Sequence, residues 1–162
     1  MIAPIAPTSQ QPGVRGIAGS LLLLVLRLAL AGVFLLAGFV KLSDPQSFAF
    51  SVKAFKILPD HLAILTTFVL PWLEAICGVL LVLGIWTRPA AIVASLQLAA
   101  FIAGIISVLV RGLNVSCGCF GKFDLLCSGP LSICNVGQNS LLLLLAIVLV
   151  AFGSGRIAIA RD

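Results

Sequence analysis

The sequence predicts an all-α membrane protein, namely a four-transmembrane-helix bundle with a short amphipathic segment between helices 1 and 2 and a Cys-rich loop between helices 3 and 4. Hydrophobic residues make up 61% of the 162 residues and charged residues only 9%. A soluble domain carries about 25% charged residues, because its surface must face water. The chain also contains four apolar stretches near the length of about 20 residues that a spanning helix needs. Its surroundings are therefore expected to be the lipid bilayer.

The four predicted spans follow one another along most of the chain. They cover residues 16–42, 62–86, 90–110 and 135–152. The first is too long for the apolar core of a signal peptide and has no convincing cleavage site after it, so it is interpreted as a helix. Residues 43–61 mix phenylalanines with lysines, which indicates an amphipathic segment in the membrane interface. A tight turn is expected at residues 87–89. The predicted organisation is a tail (1–15), a transmembrane domain (16–153) and a second tail (154–162).

The basic residues indicate a membrane protein and argue against a nucleic-acid partner. The net charge is +5, but the ten Lys and Arg residues are scattered near span ends and form no patch. Four spans place both termini on one side, and the cations are split almost evenly between the two sides. The cysteines of the last loop suit an oxidising compartment. We therefore expect the termini in the cytoplasm and the loop in the periplasm.

Three polar residues are expected to form an intramembrane polar site: Arg27, Glu74 and Gln97. Counted from the span ends, Arg27 and Glu74 each lie roughly 16–18 Å from the same membrane face. Charges inside a span usually find partners or line a polar cavity. The favoured interpretation is an ion pair that locks two antiparallel helices, with Gln97 nearby. The alternative is a polar site for a quinone headgroup or a proton.

Four cysteines crowd into the loop before the last span. Cys117 and Cys119 form a C-G-C-F-G motif, and Cys127 and Cys134 follow. Two structural disulfides would staple the loop. Alternatively, the C-x-C pair would exchange disulfides with a partner, because its small ring is strained and strain raises the reduction potential.

A metal site is the third explanation for these cysteines, and the spacing disfavours it. The chain has no C-x-x-C motif, and the one histidine, His61, is distant in sequence. No metal is therefore predicted, and His61 is given no role. Cys77, inside the second span, is interpreted as an inert small hydrophobic residue.

Several of these motifs resemble one family over residues 16–152. An arginine early in the first span, A-G-F-V-K-L-S-D-P at its end and L-P-W-L-E-A-I-C-G-V-L-L-V-L-G-I-W-T-R-P resemble DoxX-like membrane proteins. The C-G-C-F-G motif is similar to the MauE branch, the methylamine utilisation membrane proteins. That resemblance implies a bacterial inner-membrane protein acting in the maturation of methylamine dehydrogenase beside a thioredoxin-like partner. Cys117 and Cys119 would then be the redox pair. Cys127 and Cys134 are additions to the family pattern and are structural disulfide candidates.

Two classes of function are compatible with the sequence. In the first, the protein is a thiol–disulfide redox or assembly factor for a periplasmic or membrane-bound oxidoreductase. In the second, it is a non-catalytic small subunit that anchors a larger quinone-linked respiratory or photosynthetic complex, as the wider DoxX resemblance implies. The C-G-C-F-G motif favours the first class. The only cofactor that either class suggests is a quinone.

Overall fold

The computed structural model describes residues 17–57, 59–113 and 132–152, and these residues are almost entirely helical. They form five helices and no strand: α1 (Ile17–Ser43), α2 (Pro45–Ala54), α3 (Asp60–Leu83), α4 (Thr87–Val110) and α5 (Ile133–Phe152). All but α2 are long and apolar enough to cross a membrane. The predicted fold class is therefore confirmed. Both predicted tails and most of the Cys-rich loop lie outside the described residues.

Local capping chemistry sets the boundaries of α2 and the end of α3. The Asp44 side chain accepts a hydrogen bond from the backbone N–H of Ser47 at 3.1 Å, and Pro45 supplies the first helical residue. Helix α3 ends at Gly84, whose φ of 69° is left-handed. The turn expected at residues 87–89 lies instead at residues 84–86. Glycine adopts the left-handed conformation at little cost, so the chain turns at Gly84. Thr87 is then free to begin the next helix.

Helix α1 packs mainly against α3, and α4 packs mainly against α5. Two glycines allow α1 and α3 to approach closely. A Cβ atom placed on Gly38 would lie 3.1 Å from the carbonyl oxygen of Pro71, and one placed on Gly78 would lie 3.1 Å from the backbone nitrogen of Leu35. Small residues at helix contacts are typical of membrane bundles. These contacts fix the register of the antiparallel pair.

The distribution of side chains suits lipid rather than water. Large apolar side chains face outward, and Phe68, Trp72 and Leu96 are each at least 60% exposed. The interior contains many alanines, of which Ala31 and Ala146 are fully buried. In water an apolar surface of this extent would aggregate, but lipid is as apolar as these side chains.

One end of the bundle is called the loop end below. It contains the C-terminal ends of α1 and α4, the N-terminal ends of α3 and α5, and helix α2. Arg111, just after α4, ties this end together, because its guanidinium donates hydrogen bonds to the carbonyl oxygens of Phe55 (3.1 Å) and Lys56 (3.3 Å). Helix α4 is thereby joined to the segment between α2 and α3.

The close contact between α1 and α3 predicts different outcomes for two glycines on the same helix. Gly38→Val should destabilise the protein by about 1–3 kcal/mol, because the new side chain would meet the backbone of α3. Gly32→Val is the matched control, since a Cβ atom there meets nothing within 4 Å. Thermal unfolding in detergent measures both variants. Equal effects would mean that Gly38 is not at a tight helix contact.

Candidate functional site

A buried ion pair joins α1 to α3. Lys41 Nζ donates hydrogen bonds to both carboxylate oxygens of Glu74, at 2.6 and 2.8 Å. The side chains are only 2% and 4% exposed. The rings of Phe48, from α2, and Phe101, from α4, lie 5.4 and 5.0 Å from Nζ, close enough for cation–π attraction. Four helices thus contribute to the surroundings of one ammonium group.

Helical periodicity brings the two charged side chains into the interior. Lys41 lies about four turns after Arg27, and both belong to one buried stripe of α1. The other members of the stripe are Leu30, Ala31, Phe34 and Ala37. Glu74 belongs to the corresponding stripe of α3: Ala63, Thr67, Pro71, Glu74, Cys77, Gly78 and Leu81. The glycine contacts set the register that places Lys41 beside Glu74.

The expected ion pair between Arg27 and Glu74 does not form. Glu74 bonds to Lys41, whereas the guanidinium of Arg27 lies beside Gly84, its central carbon 3.0 Å from where a Cβ atom would be. Arg27 therefore lies at the C-terminal end of α3, where helix carbonyls carry partial negative charge. The depths of Arg27 and Glu74 were counted from the ends of their spans. That count was wrong because it assumed that the first residue of α1 and the last residue of α3 lie at the same depth in the membrane. Lys41 was not predicted as part of the site, because a lysine near the end of a span is expected to contact lipid headgroups.

The geometry of the pair indicates a structural role. A charge inside a bilayer is tolerated when it is paired and hydrogen-bonded, and both conditions hold for Lys41 and Glu74. A cavity of about 20 Å³ adjoins the pair and is also lined by Asn139 of α5. This space suffices for one water molecule and no larger ligand. The pair therefore locks α1 to α3.

Gln97 lies in a different place, beside a much larger cavity. This cavity, of about 420 Å³, lies between α2, α3 and α4. Gln97 is 7% exposed, and neither its amide oxygen nor its amide nitrogen has a hydrogen-bond partner. The three residues predicted to share one polar site therefore occupy three separate surroundings. Hydropathy alone could not reveal the cavity, which requires α2 to fold over the bundle.

The cysteines divide into described and undescribed positions. Cys134, in the first turn of α5, is exposed and disulfide-bonded. Its partner, like the predicted redox pair Cys117 and Cys119 and the candidate Cys127, lies outside the described residues. Cys77 is a free, buried thiol. Within the described ranges, no group of three or more His, Cys, Asp or Glu residues could hold a metal ion.

Comparison with known proteins identifies a family. The family described as "Methylamine utilisation protein MauE" matches residues 19–152. The methylamine utilization protein MauE of Paracoccus denitrificans is 36% identical over 101 residues, which are 62% of this chain and 54% of that protein. The match thus spans about half the length of the relative. No solved structure matches the chain significantly.

The lock between α1 and α3 predicts strong coupling between Lys41 and Glu74. Lys41→Met or Glu74→Gln alone should destabilise the protein by about 3–5 kcal/mol, because each leaves the other side chain as an unpaired buried charge. The double variant should recover most of that loss, because no unpaired charge remains. Thermal unfolding of the four proteins in detergent gives the coupling energy.

Arg27 provides the control for this cycle. Arg27→Met combined with Glu74→Gln should show additive effects, because the two residues contact different parts of α3. Strong coupling between Arg27 and Glu74, with none between Lys41 and Glu74, would contradict the register described above.

Proposed function

The chain belongs to the MauE family, and from this premise we propose that it is a membrane-embedded thiol–disulfide redox or assembly factor. Its client would be a periplasmic or membrane-bound oxidoreductase of the kind used in methylamine utilisation. A thioredoxin-like protein would be its exchange partner. The membrane would be the bacterial inner membrane, with the cysteine loop on the periplasmic side.

The position of the cysteines carries this proposal. Cys117, Cys119 and Cys127 fall between the last residue of α4 and the first residue of α5, and Cys134 is the second residue of α5. Three of the four therefore belong to the connection at the loop end and the fourth to the start of α5, where a partner would approach from one side of the membrane. The disulfide at the exposed Cys134 is compatible with an oxidising compartment there.

The proposed step is one thiol–disulfide exchange. A thiolate of the partner attacks the sulfur of Cys117 in the Cys117–Cys119 disulfide and releases the Cys119 thiolate, forming a mixed disulfide. The second thiolate of the partner then attacks the mixed disulfide. The partner becomes a disulfide, and Cys117 and Cys119 become thiols, so two electrons and two protons have moved to this protein. The strain of a C-x-C ring favours this direction.

A non-catalytic anchoring subunit is the second candidate, and it is supported by the shape of the described part. Apart from α2, the described helices are spans, and they present large apolar side chains such as Phe68 and Trp72 outward. Such a surface could meet other membrane subunits as well as lipid. A stable stoichiometric complex that survives purification would favour this candidate.

The redox proposal predicts a trapped intermediate. Cys119→Ser should accumulate a mixed disulfide between Cys117 and the disulfide form of a thioredoxin-like protein. The exchange is reversible, so the Cys117 thiolate can attack the partner's disulfide, but without Cys119 no neighbouring thiol releases the product. Non-reducing electrophoresis followed by mass spectrometry detects the adduct. Differential alkylation of intact cells should also find wild-type Cys117 and Cys119 in both thiol and disulfide forms.

Cys77→Ala is the control variant. It removes a free thiol that is buried inside α3 and leaves Cys117 and Cys119 intact, so it should accumulate no mixed disulfide. If Cys117 and Cys119 are permanently paired, resist mild reductant and trap no partner, the redox proposal fails. The loop cysteines would then be structural staples.

A further inference from the structure

The cavity between α2, α3 and α4 has the size of a ligand site. Its volume of about 420 Å³ falls within the usual range of about 300–1,000 Å³ for small-molecule pockets. It extends from Gln97, in the middle of α4, to Phe55 and Ile57 at the loop end. The hydrogen bonds from Arg111 to the Phe55 and Lys56 carbonyls hold that end of the cavity in place.

Gln97 is the buried polar side chain of this lining whose nitrogen and oxygen have no hydrogen-bond partner among the described residues. Two hydroxyls of the lining already donate within their own helices, Ser51 to the Ser47 carbonyl and Thr66 to the Leu62 carbonyl. The Gln97 amide makes no such bond, although the side chain is more than nine-tenths buried. A buried amide without a partner costs free energy, and in a membrane interior no bulk water relieves it. Both polar atoms of the amide are buried, so a rotation of the side chain towards the cavity would let a polar atom of an occupant remove that cost.

The remaining lining determines which occupant fits. None of the lining residues that the structure describes is charged, so a phosphate headgroup would find no counter-charge there. Three of the lining residues, Phe48, Phe55 and Phe101, are aromatic, and aromatic side chains pack favourably against a flat ring. A lipid acyl chain would fill the space but leave the Gln97 amide unpaired. The lining therefore fits a neutral, flat, apolar molecule with at least one hydrogen-bonding oxygen.

The route of entry is through lipid. Ala100 and Ala103, both exposed on α4, and the neighbouring Gly104 line the cavity. Because these small residues line the cavity and two of them are exposed, we infer a route from the bilayer into the cavity along this side of α4. A molecule that dissolves in the membrane would reach the cavity by this route without crossing water.

We propose that this cavity binds a membrane quinone, with the Gln97 amide as its headgroup contact. The amide suits both redox forms of such a molecule. Its N–H group can donate to a quinone carbonyl, and its oxygen can accept from a quinol hydroxyl. The proposal rests on the cavity and Gln97 alone and does not depend on the thiol chemistry proposed above.

The test is direct binding of a short-chain benzoquinone to the full-length protein in phospholipid nanodiscs that contain no quinone. Wild-type protein should bind it saturably at one site. Gln97→Leu should weaken binding about tenfold through loss of one hydrogen bond. The same variant should unfold at an equal or higher temperature, because it removes an unpaired buried polar group. Weak binding therefore cannot be attributed to misfolding.

Two further variants test the location. Gly104→Leu should abolish binding, because its side chain would point towards Phe55, whose ring lies 3.7 Å from the position of a Cβ atom. Gly32→Leu, which faces open space on α1, is the matched control, and Ser95→Ala is a control on α4 outside the cavity. A photoreactive azidoquinone should label peptides around Ala100 and Gly104.

Three results would overturn the proposal. The first is unsaturable quinone binding with a tightly held phospholipid that quinone cannot displace, which would identify the cavity as an acyl-chain slot. The second is equal affinity of wild-type protein and Gln97→Leu. The third is photolabelling confined to peptides outside α2, α3 and α4.

Discussion

The contact between Lys41 and Glu74 constrains the rest of the bundle. In a bilayer neither charge can move away from its partner without a large penalty. A slip of one helical turn, about 5.4 Å, would separate them, so the register of α1 against α3 is fixed. Gly38 and Gly78 are compatible with that register, because they let the backbones of α1 and α3 approach closely. The side chain of Phe48 packs beside Lys41, which also positions α2.

A consequence is that packing is uneven across the molecule. Helices α1 and α3 form one close pair, and α4 and α5 form another. The ring of Phe101 on α4 packs beside Lys41 of α1 and so joins the two pairs, but between α3 and α4 the small residues Ala100 and Gly104 line a cavity. Helix α2 covers this space from the loop end. The large cavity therefore lies at the boundary between two helix pairs, which is a common location for ligand sites in helical bundles.

The sequence predicted the helices well and their contacts poorly, for a physical reason. Spans follow from local hydropathy, so four of them could be located to within a few residues. The partner of Glu74 depends on register, which is set by contacts such as Gly38 against Pro71 that hydropathy does not encode. The helical spacing between Arg27 and Lys41 was a usable signal, since it places both on one face of α1. No comparable signal in the sequence indicated the cavity beside Gln97, because it arises only when three helices assemble.

The buried Lys41–Glu74 pair and the buried Gln97 amide differ in what they require. Lys41 and Glu74 satisfy each other, so the fold alone accounts for them and no ligand is needed. The Gln97 amide is equally buried but satisfies nothing within the described residues. If its function were only to fill space, a leucine would do so without the cost of an unpaired amide. Gln97 instead lines a space that is large enough for a ring and that is also lined by aromatic side chains. The paired charges of Lys41 and Glu74 explain how this bundle holds together, whereas the unpaired Gln97 amide indicates where we propose that a second molecule binds.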